Sequence, residues 1–437
     1  MLNKSQLQPK QLAAVKRLFE YDETLLVAPT GAGKTVICLT TVAELKEGGH
    51  LSRVIVACPA KLLVTKVWSK EVKKWEHLSG LAVVELEGDP DTRRALLKKP
   101  ADVIVVSLQN LDWLLKHKHG ADGIIIDELS KGAGKQTAGL KSKKKAGMLG
   151  WRVGMTATPV SQNFEKLFNM CRVLSPHYLG TNKQKYLEQY FYSDYQGYNW
   201  TLRDGADAQI MAQVAPLVHL VEDTKAHELP ALHQHVIRFE MPAETRVIYN
   251  QMKKDMVVGD VEAANEAVKS GKLRQIASGF MYHDEKDDLL RVKRFDQERI
   301  KQAWLWAQDG KKRIIFYEYI THAAMLKDVF GKRAEVTEKV GTFLTSDAQI
   351  LIAQVNSLSH GVDGLQHVCS DILFYHPMWS RDATEQAIGR VWRTGQTKEV
   401  NVTTLVCDDT LDDLVMERVE DRGEWMVKFK QHLKEGS

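Results

Sequence analysis

The chain has 437 residues, of which 44% are hydrophobic and 27% are charged, and its formal net charge is +4 at pH 7. This composition is typical of a soluble globular protein, and the length predicts two or three domains. No apolar run is long enough to span a bilayer and the N-terminus lacks an apolar signal core, so we expect a cytoplasmic protein without a membrane partner. The mildly positive charge permits nucleic-acid binding but does not indicate it.

Five cysteines are scattered along the chain without the paired spacing of a zinc site. They are Cys38, Cys58, Cys171, Cys369 and Cys407. Because three of them lie within strand-like or helix-like apolar runs, we expect buried free thiols in a reducing compartment.

In the first half of the chain, short apolar runs alternate with helix-like stretches. The runs that we predict to be strands cover residues 24–28, 54–57, 103–106, 124–126 and 152–155. They are rich in Val and Ile and nearly continuous, as expected for strands that are buried on both faces of a parallel sheet. Residues 59–74 and 91–98 are predicted helices between them. The pattern predicts a doubly wound α/β domain.

The second half departs from this pattern and then returns to it. An aromatic, polar stretch lies within residues 181–232, and residues 244–308 are rich in charge and alanine and are predicted to be helical. Strand-like runs then return at residues 313–317, 350–353, 371–375 and 400–406. We therefore predict a second α/β domain in this half.

The pattern that says most about chemistry follows the first predicted strand. It reads Ala28-Pro29-Thr30-Gly31-Ala32-Gly33-Lys34-Thr35. A strand, a glycine-bearing loop and a helix together surround nucleotide phosphates with backbone N–H groups and the positive end of a helix. In this pattern Lys34 reaches the outer phosphates and the Thr35 hydroxyl can bind Mg²⁺. Ala28 stands where the general pattern has Gly, so this is a variant. We predict hydrolysis of a nucleoside triphosphate; the alternative is a chance glycine-rich turn.

Two adjacent carboxylates, Asp127 and Glu128, end the predicted strand at 124–126. At the carboxyl end of a strand the chain turns, so both side chains can serve one site. Asp127 would hold Mg²⁺, and Glu128 would orient and deprotonate the attacking water. Alone, the pair is also compatible with a solvated strand end, but it lies at a workable distance after the phosphate loop. Thr156 and Thr158 end the next strand, and their hydroxyls could link carboxylates to a neighbouring element.

Near the C-terminus, Gln386, Arg390 and Arg393 are spaced by four and three residues. If residues 382–392 are helical, these side chains share one face, and two guanidinium groups suit the outer oxygens of a triphosphate. Gly389 would allow close approach. The alternative is a solvated basic face. Upstream, residues 357–366 form a loop with two glycines, Gly361 and Gly364, and the carboxylate Asp363.

Two further stretches are candidates for nucleic-acid contact. A group of lysines follows Glu128, namely Lys131, Lys135, Lys141, Lys143, Lys144 and Lys145. These lysines either bind a phosphate backbone or keep a loop soluble. The tyrosine-rich stretch at 186–200 either stacks on bases or packs between domains, and we favour packing.

In order and spacing, these motifs resemble the motor core of superfamily-two helicases, and within it the Swi/Snf-type DNA translocases. The resemblance covers nearly the whole chain. The segment around Gln11 is similar to the adenine-reading segment of that family, and residues 56–60 are similar to the strand end that touches the nucleic-acid backbone. Residues 361–366 resemble the second-domain loop near ATP and DNA, residues 386–396 the arginine-finger segment, and residues 409–415 the closing segment.

The resemblance implies two tandem RecA-like domains of the P-loop NTPase class, residues 1–228 and 229–437, with a helical insertion at about 244–308 and with ATP in the cleft between them. ATP and Mg²⁺ are the implied cofactors. ATP-binding residues would be Gln11, Thr30, Gly31, Ala32, Gly33, Lys34, Thr35, Gly361 and Asp363, with Thr35 and Asp127 on Mg²⁺. Catalytic residues would be Lys34, Thr35, Asp127, Glu128, Gln386, Arg390 and Arg393. Backbone contacts to nucleic acid would come from Pro59, Ala60, Lys61, Lys141, Lys143, Lys144 and Lys145.

The continuation Arg393-Thr394-Gly395-Gln396 favours the Swi/Snf branch, and the compact form is similar to versions carried by phages and prophages. We therefore expect a monomeric, ATP-dependent translocase or helicase that binds DNA without sequence specificity, in a bacterial cytoplasm if it is phage-encoded, with replication or recombination proteins as further partners. An RNA helicase and an ATP-switched DNA clamp with little hydrolysis stay open as alternatives. Three residues depart from the family pattern: Leu129-Ser130 replaces Ala-His, and Trp392 stands where many members have His.

Overall fold

Two parallel β-sheets, one in each of two structural units, organise the chain in the computed structural model. The described part of the first unit lies within residues 1–221 and that of the second within residues 229–417. The structure describes residues 1–29, 31–134, 137, 139–140, 149–159, 164–195, 200–221, 229–258, 261–262, 266–282, 292–331, 336–355 and 364–417.

The first unit is built on a seven-stranded sheet in which every pair of neighbours is parallel. The seven strands of this sheet are β1 (Glu23–Val27), β2 (Val54–Cys58), β3 (Val83–Glu85), β4 (Val103–Ser107), β5 (Gly123–Ile126), β6 (Trp151–Thr156) and β9 (Val218–Leu220). Two further strands of the unit, β7 (Phe191–Ser193) and β8 (Trp200–Leu202), form a separate hairpin. The order across the sheet is β3-β4-β2-β5-β6-β1-β9. The described helices are Pro9–Glu20, Lys34–Glu47, Ala60–Val64, Val67–Lys74, Pro90–Leu97, Leu111–Leu115, Leu129–Gly132, Phe164–Leu174, Lys183–Tyr190 and Ala206–Val214.

Both faces of this sheet are buried, as the continuous apolar runs predict. Along β1, Leu25 and Val27 belong to one hydrophobic cluster, whereas Leu26 belongs to a second cluster on the other face. Successive side chains of a strand point to opposite faces, so each run supplies both cores. Fully burying one such aliphatic side chain stabilises the fold by about 1.5–3 kcal/mol. Because a hydrophobic cluster covers each face of the sheet, the ends of its strands are held in fixed positions.

Two expectations about the first unit are wrong in detail. The single helix expected over 59–74 is two helices, because Lys66 between them has the left-handed φ of 56° and interrupts the helical hydrogen bonds. The expectation that the aromatic stretch packs between domains is wrong for Tyr186 and Tyr190, which are buried inside the first unit, with Tyr186 against Phe168. Tyr198 lies outside the described residues.

The second unit contains a six-stranded sheet, also with only parallel neighbours, in the order β10-β19-β18-β15-β17-β16. The strands of the unit are β10 (Leu232–Phe239), the short β11 (Val257–Val258), β12 (Val261–Glu262), β13 (Phe280–Tyr282) and β14 (Val292–Arg294), then β15 (Arg313–Tyr317), β16 (Val336–Thr337), β17 (Ile350–Gln354), β18 (Asp371–Phe374) and β19 (Val400–Cys407). The described helices are Ala243–Asp255, Glu266–Ala277, Glu298–Trp306, Ile320–Phe330, Val340–Thr345, Leu365–Val368 and Arg381–Ile388.

Residues 244–308 are less helical than expected. The antiparallel pairs β11–β12 and β13–β14 separate the three helices of this region. The β13–β14 pair joins Phe280 to Arg294, and the buried Phe280 and Met281 attach it to the core. Charge and alanine content favour helix locally, but tertiary packing overrides that preference here.

A buried ion pair holds several elements of the second unit together. Arg299 donates to the Asp412 carboxylate at 2.6 Å, and both side chains are almost fully buried. The same guanidinium donates to the carbonyl oxygens of Ala277, Tyr375 and Leu405. Because a buried guanidinium is costly unless its donors are satisfied, these contacts fix three backbone segments around one side chain.

The described residues confirm the predicted α/β class, since both sheets are parallel and helices connect their strands. The expectation of buried free thiols is also confirmed for all five cysteines. No helix within the described ranges is long and apolar enough to cross a membrane.

Two buried histidines near this ion pair should make stability depend on pH. Neither ring nitrogen of His322 has a hydrogen-bond partner among the described residues, and its ring lies 5.3 Å from that of His376. Burial, followed by the positive charges of Arg299 and Arg274, lowers the pKa of His322 well below 6.5. The pKa of His376 is lowered in the same direction, mainly by burial.

We predict that the folded chain loses stability as the pH falls below 6.5, because the unfolded chain then binds protons that the folded chain excludes. Above that pH both states carry neutral histidines and this effect is absent. Each histidine contributes a slope of up to about 1.4 kcal/mol per pH unit. Urea unfolding on both sides of this pH should show a shallower loss for His322→Phe. The exposed His235→Phe is the control, and equal slopes for His322→Phe and the unsubstituted chain would contradict the prediction.

Candidate functional site

The candidate site begins with the order of three strands in the first sheet. Strand β6 lies between β1 and β5, and all three run parallel. Their carboxyl ends therefore meet at one edge, where the segments that follow Val27, Ile126 and Thr156 lie next to one another. A hydrogen bond from Ala28 N to Thr156 O, 3.0 Å long, extends the β1–β6 pairing into the phosphate loop.

Backbone geometry fixes the start of the helix that follows the loop. Gly33 has a φ of 82° and immediately precedes the helix Lys34–Glu47. A Cβ atom on Gly33 would lie only 2.3 Å from Nε2 of Gln11, so glycine is required here both for φ and for space. Gly31 likewise has a positive φ, 87°. This geometry leaves the first N–H groups of the helix at the loop, where a phosphate could accept them.

Two side chains hold the loop from within. The Gln11 amide, which is 9% exposed, donates from Nε2 to the Ala32 carbonyl at 3.0 Å and accepts from Gln8 N at 2.8 Å. Lys34 Nζ donates to the carbonyl oxygens of Ala28 and Pro29, at 2.9 and 3.1 Å. The predicted adenine-reading glutamine thus also braces the phosphate loop, a role that its motif does not reveal. Thr30 lies outside the described residues.

The two carboxylates end β5 and are buried at the same sheet edge. Asp127 is 7% exposed and Glu128 is 8% exposed. Glu128 has a left-handed φ of 54°, and for a residue other than glycine such strain, about 1–3 kcal/mol, is concentrated at functional sites. Burial and then the Asp127 carboxylate raise the pKa of the Cys38 thiol, whereas Lys34 lowers it. The buried Cys38 thiol therefore lies within electrostatic reach of both the Asp127 carboxylate and the Lys34 ammonium group.

A hydroxyl pair links β6 to the carboxylate turn. The buried Thr156 donates from Oγ1 to Oγ of Ser130 at 3.0 Å, two residues after Glu128, and accepts from Thr158 N at 3.1 Å. Ser130 is a residue whose role the sequence did not reveal, although its departure from the family pattern marked the position. Leu129, the neighbouring residue that departs from the family pattern, fills the space over Gly154 of β6. A Cβ atom on Gly154 would lie 2.3 Å from Leu129 Cδ2.

In the second unit, Gln386 lies on the helix Arg381–Ile388, whose start is capped by the Ser380 hydroxyl. The expectation of a helix through residue 392 is wrong, because the helix ends at Gly389 and the following residues form turns. Arg390 and Arg393 therefore belong to turns and not to the helical face of Gln386. Both arginine side chains are half-buried, whereas Gln386 is buried.

Side chains that sequence reasoning did not assign hold these turns in place. The buried Gln396 donates from Nε2 to the Cys369 and Val391 carbonyls, and its Oε1 accepts from the N–H groups of Thr397 and Lys398. The Trp392 indole N–H donates to the Pro230 carbonyl at 2.8 Å. The four hydrogen bonds of Gln396 make it a brace for the arginine-bearing turns. The position of Gln396 close to the predicted arginines pointed to a role at the site, but the sequence did not reveal its hydrogen-bond partners.

The predicted nucleic-acid contacts are only partly described. Pro59, Ala60 and Lys61 follow the carboxyl end of β2, at the edge that also carries the phosphate loop. Ala60 is exposed, and Pro59 and Lys61 are half-buried. The remaining predicted site residues lie outside the described residues: Lys141, Lys143, Lys144, Lys145, Gly361 and Asp363. Lys135 lies outside them as well, and the side chain of Lys131 is not described.

A family model described as the SNF2-related domain matches residues 11–302. The p41 protein of Acyrthosiphon pisum secondary endosymbiont phage 1 is 25% identical over 440 residues, which cover 94% of this chain and 95% of that protein. The DNA repair and recombination protein RAD54-like of Drosophila ananassae is 22% identical over 501 residues, 94% of this chain and 61% of that protein. The Sulfolobus solfataricus SWI2/SNF2 ATPase core in complex with dsDNA has a TM-score of 0.45 and 20% identity, over 95% of this chain and 90% of that one.

Because the family model covers more than half of the chain, the chain belongs to the SNF2-related family. This confirms the resemblance to Swi/Snf-type superfamily-two proteins, and the phage relative of similar length agrees with the compact phage form. The two units, each built on one of the parallel sheets, are the RecA-like domains that the resemblance implies. At the level of the family, the chain therefore carries an SNF2-related ATPase domain.

The contact between Leu129 and Gly154 gives a test of how tightly the carboxylate turn is packed. We predict that Gly154→Ala destabilises the chain by about 1–3 kcal/mol, because the new Cβ overpacks against Leu129. Adding Leu129→Ala should remove that clash, so the double variant loses less stability than the sum of the single losses. Urea unfolding measures the three values. Gly150→Ala is the control, since nothing lies within 4 Å of its Cβ position; strictly additive losses would contradict the packing.

Proposed function

We propose that the chain is a DNA-dependent ATPase of the Swi/Snf type that uses hydrolysis to move along DNA or to remodel it. The observation that carries the proposal is the single sheet edge at which the phosphate loop, Asp127, Glu128 and Thr156 lie on three neighbouring strands. The name of the RAD54-like relative, a DNA repair and recombination protein, supports DNA as the partner. The chain spans 61% of that relative.

In this proposal the residues of the first unit bind ATP and activate water. The Thr35 hydroxyl and the Asp127 carboxylate are oxygen donors of the kind that Mg²⁺ prefers, and they would hold the ion with the phosphates. When bound, Mg²⁺ supplies positive charge that offsets the charge developing on the transferred phosphoryl group. Lys34, now on the Ala28 and Pro29 carbonyls, would turn to the outer phosphates. Glu128 would orient the attacking water and accept its proton.

The residues of the second unit would act in the same reaction. Arg390 and Arg393 would stabilise the charge of the transition state, with Gln386 beside them, as the resemblance implies. The support for this role is the set of hydrogen bonds from Gln396 and Trp392 that fix the arginine-bearing turns. A fixed guanidinium loses little freedom when it engages a phosphate, which suits a transition-state contact.

DNA would be held through its backbone. Pro59, Ala60 and Lys61 lie after β2, at the sheet edge that carries the phosphate loop. A displacement of that edge would therefore move both the phosphate loop and these three residues. The lysine group at 131–145 and the loop with Gly361 and Asp363 are further candidates on sequence grounds. The movement or remodelling that we propose would act on branched DNA, unwind or anneal strands, or displace bound protein. We propose a monomer that cooperates with replication or recombination proteins.

The first test separates nucleotide binding from hydrolysis. We predict that Lys34→Ala loses both, because Lys34 contacts the phosphates, whereas Glu128→Gln keeps ATP affinity and loses hydrolysis by about 10²–10⁴-fold, because Glu128 acts only on water. ATP-binding titrations and DNA-stimulated turnover measure the two effects. Lys46→Ala, on the exposed side of the same helix, is the control. An equal loss of affinity in Lys34→Ala and Glu128→Gln would reject the role of Glu128.

The second test concerns the arginines. We predict that Arg393→Ala and Arg390→Ala bind ATP normally but turn it over at least about a hundredfold more slowly with saturating DNA, because they contact the transition state alone. Arg294→Ala, an exposed arginine paired with Asp328 in the same unit, should leave turnover unchanged. Wild-type turnover in Arg393→Ala together with a loss in Arg390→Ala would make Arg390 the only finger and Arg393 a structural residue.

A further inference from the structure

A second buried arginine of the second unit, Arg274, has no role in the motifs described above. It lies on the helix Glu266–Ala277 and is only 5% exposed. Its Nη2 donates to His376 Nδ1 and to the Pro377 carbonyl, both at 2.8 Å, and its Nη1 lies 3.0 Å from Glu318 Oε2. The guanidinium also lies over the Trp379 ring, with 5.6 Å between Cζ and the ring centroid.

These contacts converge on one short segment. Residues 375–380 connect β18 to the helix Arg381–Ile388, which carries Gln386 and ends just before Arg390. Arg299 binds the Tyr375 carbonyl at the first residue of the segment, and Arg274 binds His376, Pro377 and Trp379. The Ser380 hydroxyl then caps the helix. Two arginines and one cap thus anchor the path from the strand to the arginine-bearing turns.

The position of Arg274 also joins two strand ends of the sheet. Glu318 directly follows β15, and β15 pairs with β18. The backbone carbonyl of Glu318 accepts from Gln354 Nε2, at the end of β17, at 2.8 Å. The ends of three neighbouring strands are therefore tied together through Arg274 and Glu318. A planar guanidinium with several donors in a fixed fork can make these contacts at once, whereas a lysine cannot.

Stability alone does not account for a charge at this place. Burying a guanidinium beside a carboxylate that stays 41% exposed gains little net stability, since desolvation offsets much of the attraction. What the contacts supply is a fixed geometry for the segment. A displacement of about 1 Å can reduce the rate of a reaction about a hundredfold when it moves a group that acts on the transition state.

We propose that Arg274 is a positioning residue for ATP hydrolysis: it fixes residues 376–379 so that the helix Arg381–Ile388 and the turns after it present Arg390 and Arg393 correctly. This inference rests on the proposed function. It assigns Arg274 no contact with ATP or DNA. Its substitution should therefore lower turnover without weakening the binding of either ligand.

The test is a mutant cycle in the full chain with saturating DNA. Arg274→Ala should lower kcat about tenfold or more, with KM for ATP and DNA affinity within about twofold of the unsubstituted chain. Arg274→Lys keeps the charge but not the fork, and it should show a smaller kcat loss with the same unchanged KM. Added guanidinium ion, below denaturing concentration, should partly restore the kcat of Arg274→Ala and not that of Arg393→Ala. Arg294→Ala is the control for the ion itself.

Combining Arg274→Ala with Arg390→Ala and, separately, with Arg393→Ala gives the decisive readout. If Arg274 acts through these arginines, at least one double variant should turn over ATP no more slowly than the corresponding arginine variant alone. Losses that multiply in both cycles, or a wild-type kcat in Arg274→Ala, would overturn the inference. If Arg274→Ala fails to fold, Arg274→Lys carries the same cycles. If the unsubstituted chain shows no ATP hydrolysis, the proposed function itself fails, which is a distinguishable result.

Discussion

The placement of β6 between β1 and β5 is the constraint on which the rest of the candidate site depends. Each of the three strands ends in a segment with its own chemistry, and parallel pairing brings the three segments to one edge. The register is fixed because the strands are buried on both faces, so a slip by one residue would move every side chain into the wrong core. The apolar runs of the sequence thereby determine where Lys34 and Asp127 lie relative to each other.

In the two units, different kinds of interaction hold the segments that carry the candidate site residues. In the first unit, the Gln11 amide and the Lys34 ammonium group hold the loop, and the Thr156–Ser130 hydroxyl pair holds the carboxylate turn. In the second unit, buried guanidinium groups bind backbone carbonyls at the end of β18. Amides and hydroxyls can exchange partners at low cost, whereas a buried arginine left without partners is costly. In the proposed function, the loop that receives the nucleotide is held partly by contacts that can be exchanged, whereas the segment before the arginine-bearing turns is held by buried charges.

Much of the fold could be predicted from the sequence, because the strands that form the centres of both sheets are continuous Val-rich and Ile-rich runs. The strand at Arg313–Tyr317 has the predicted bounds; β2, β4 and β5 differ from the prediction by one residue at one end, and β1 is shifted by one residue at both ends. Strand β10 was missed, since most of its side chains are exposed, half of them are polar, and the strand lies at the edge of its sheet. Strand β9 was missed because it is short and follows a long insertion.

The exact ends of helices and the hydrogen-bond partners of buried polar groups were harder to predict from the sequence. The helix that carries Gln386 stops at Gly389, although the spacing of the arginines suggested that it continues. The partners of Gln11 could not be read from periodicity, nor could those of Gln396 and Arg274, because such contacts join residues that are distant in sequence or depend on the turn that they stabilise. Motif spacing therefore predicted candidate site residues, and the structure shows which contacts hold those that it describes.

We propose above all that this chain couples ATP hydrolysis to DNA. The most direct measurement is the steady-state ATPase rate of the full chain with no nucleic acid, with single-stranded DNA, with duplex DNA, with forked DNA and with RNA. We predict a low rate without nucleic acid and a clear stimulation by DNA that exceeds any stimulation by RNA. Stimulation by RNA alone, or ATP-dependent DNA binding with no hydrolysis under any condition, would contradict it.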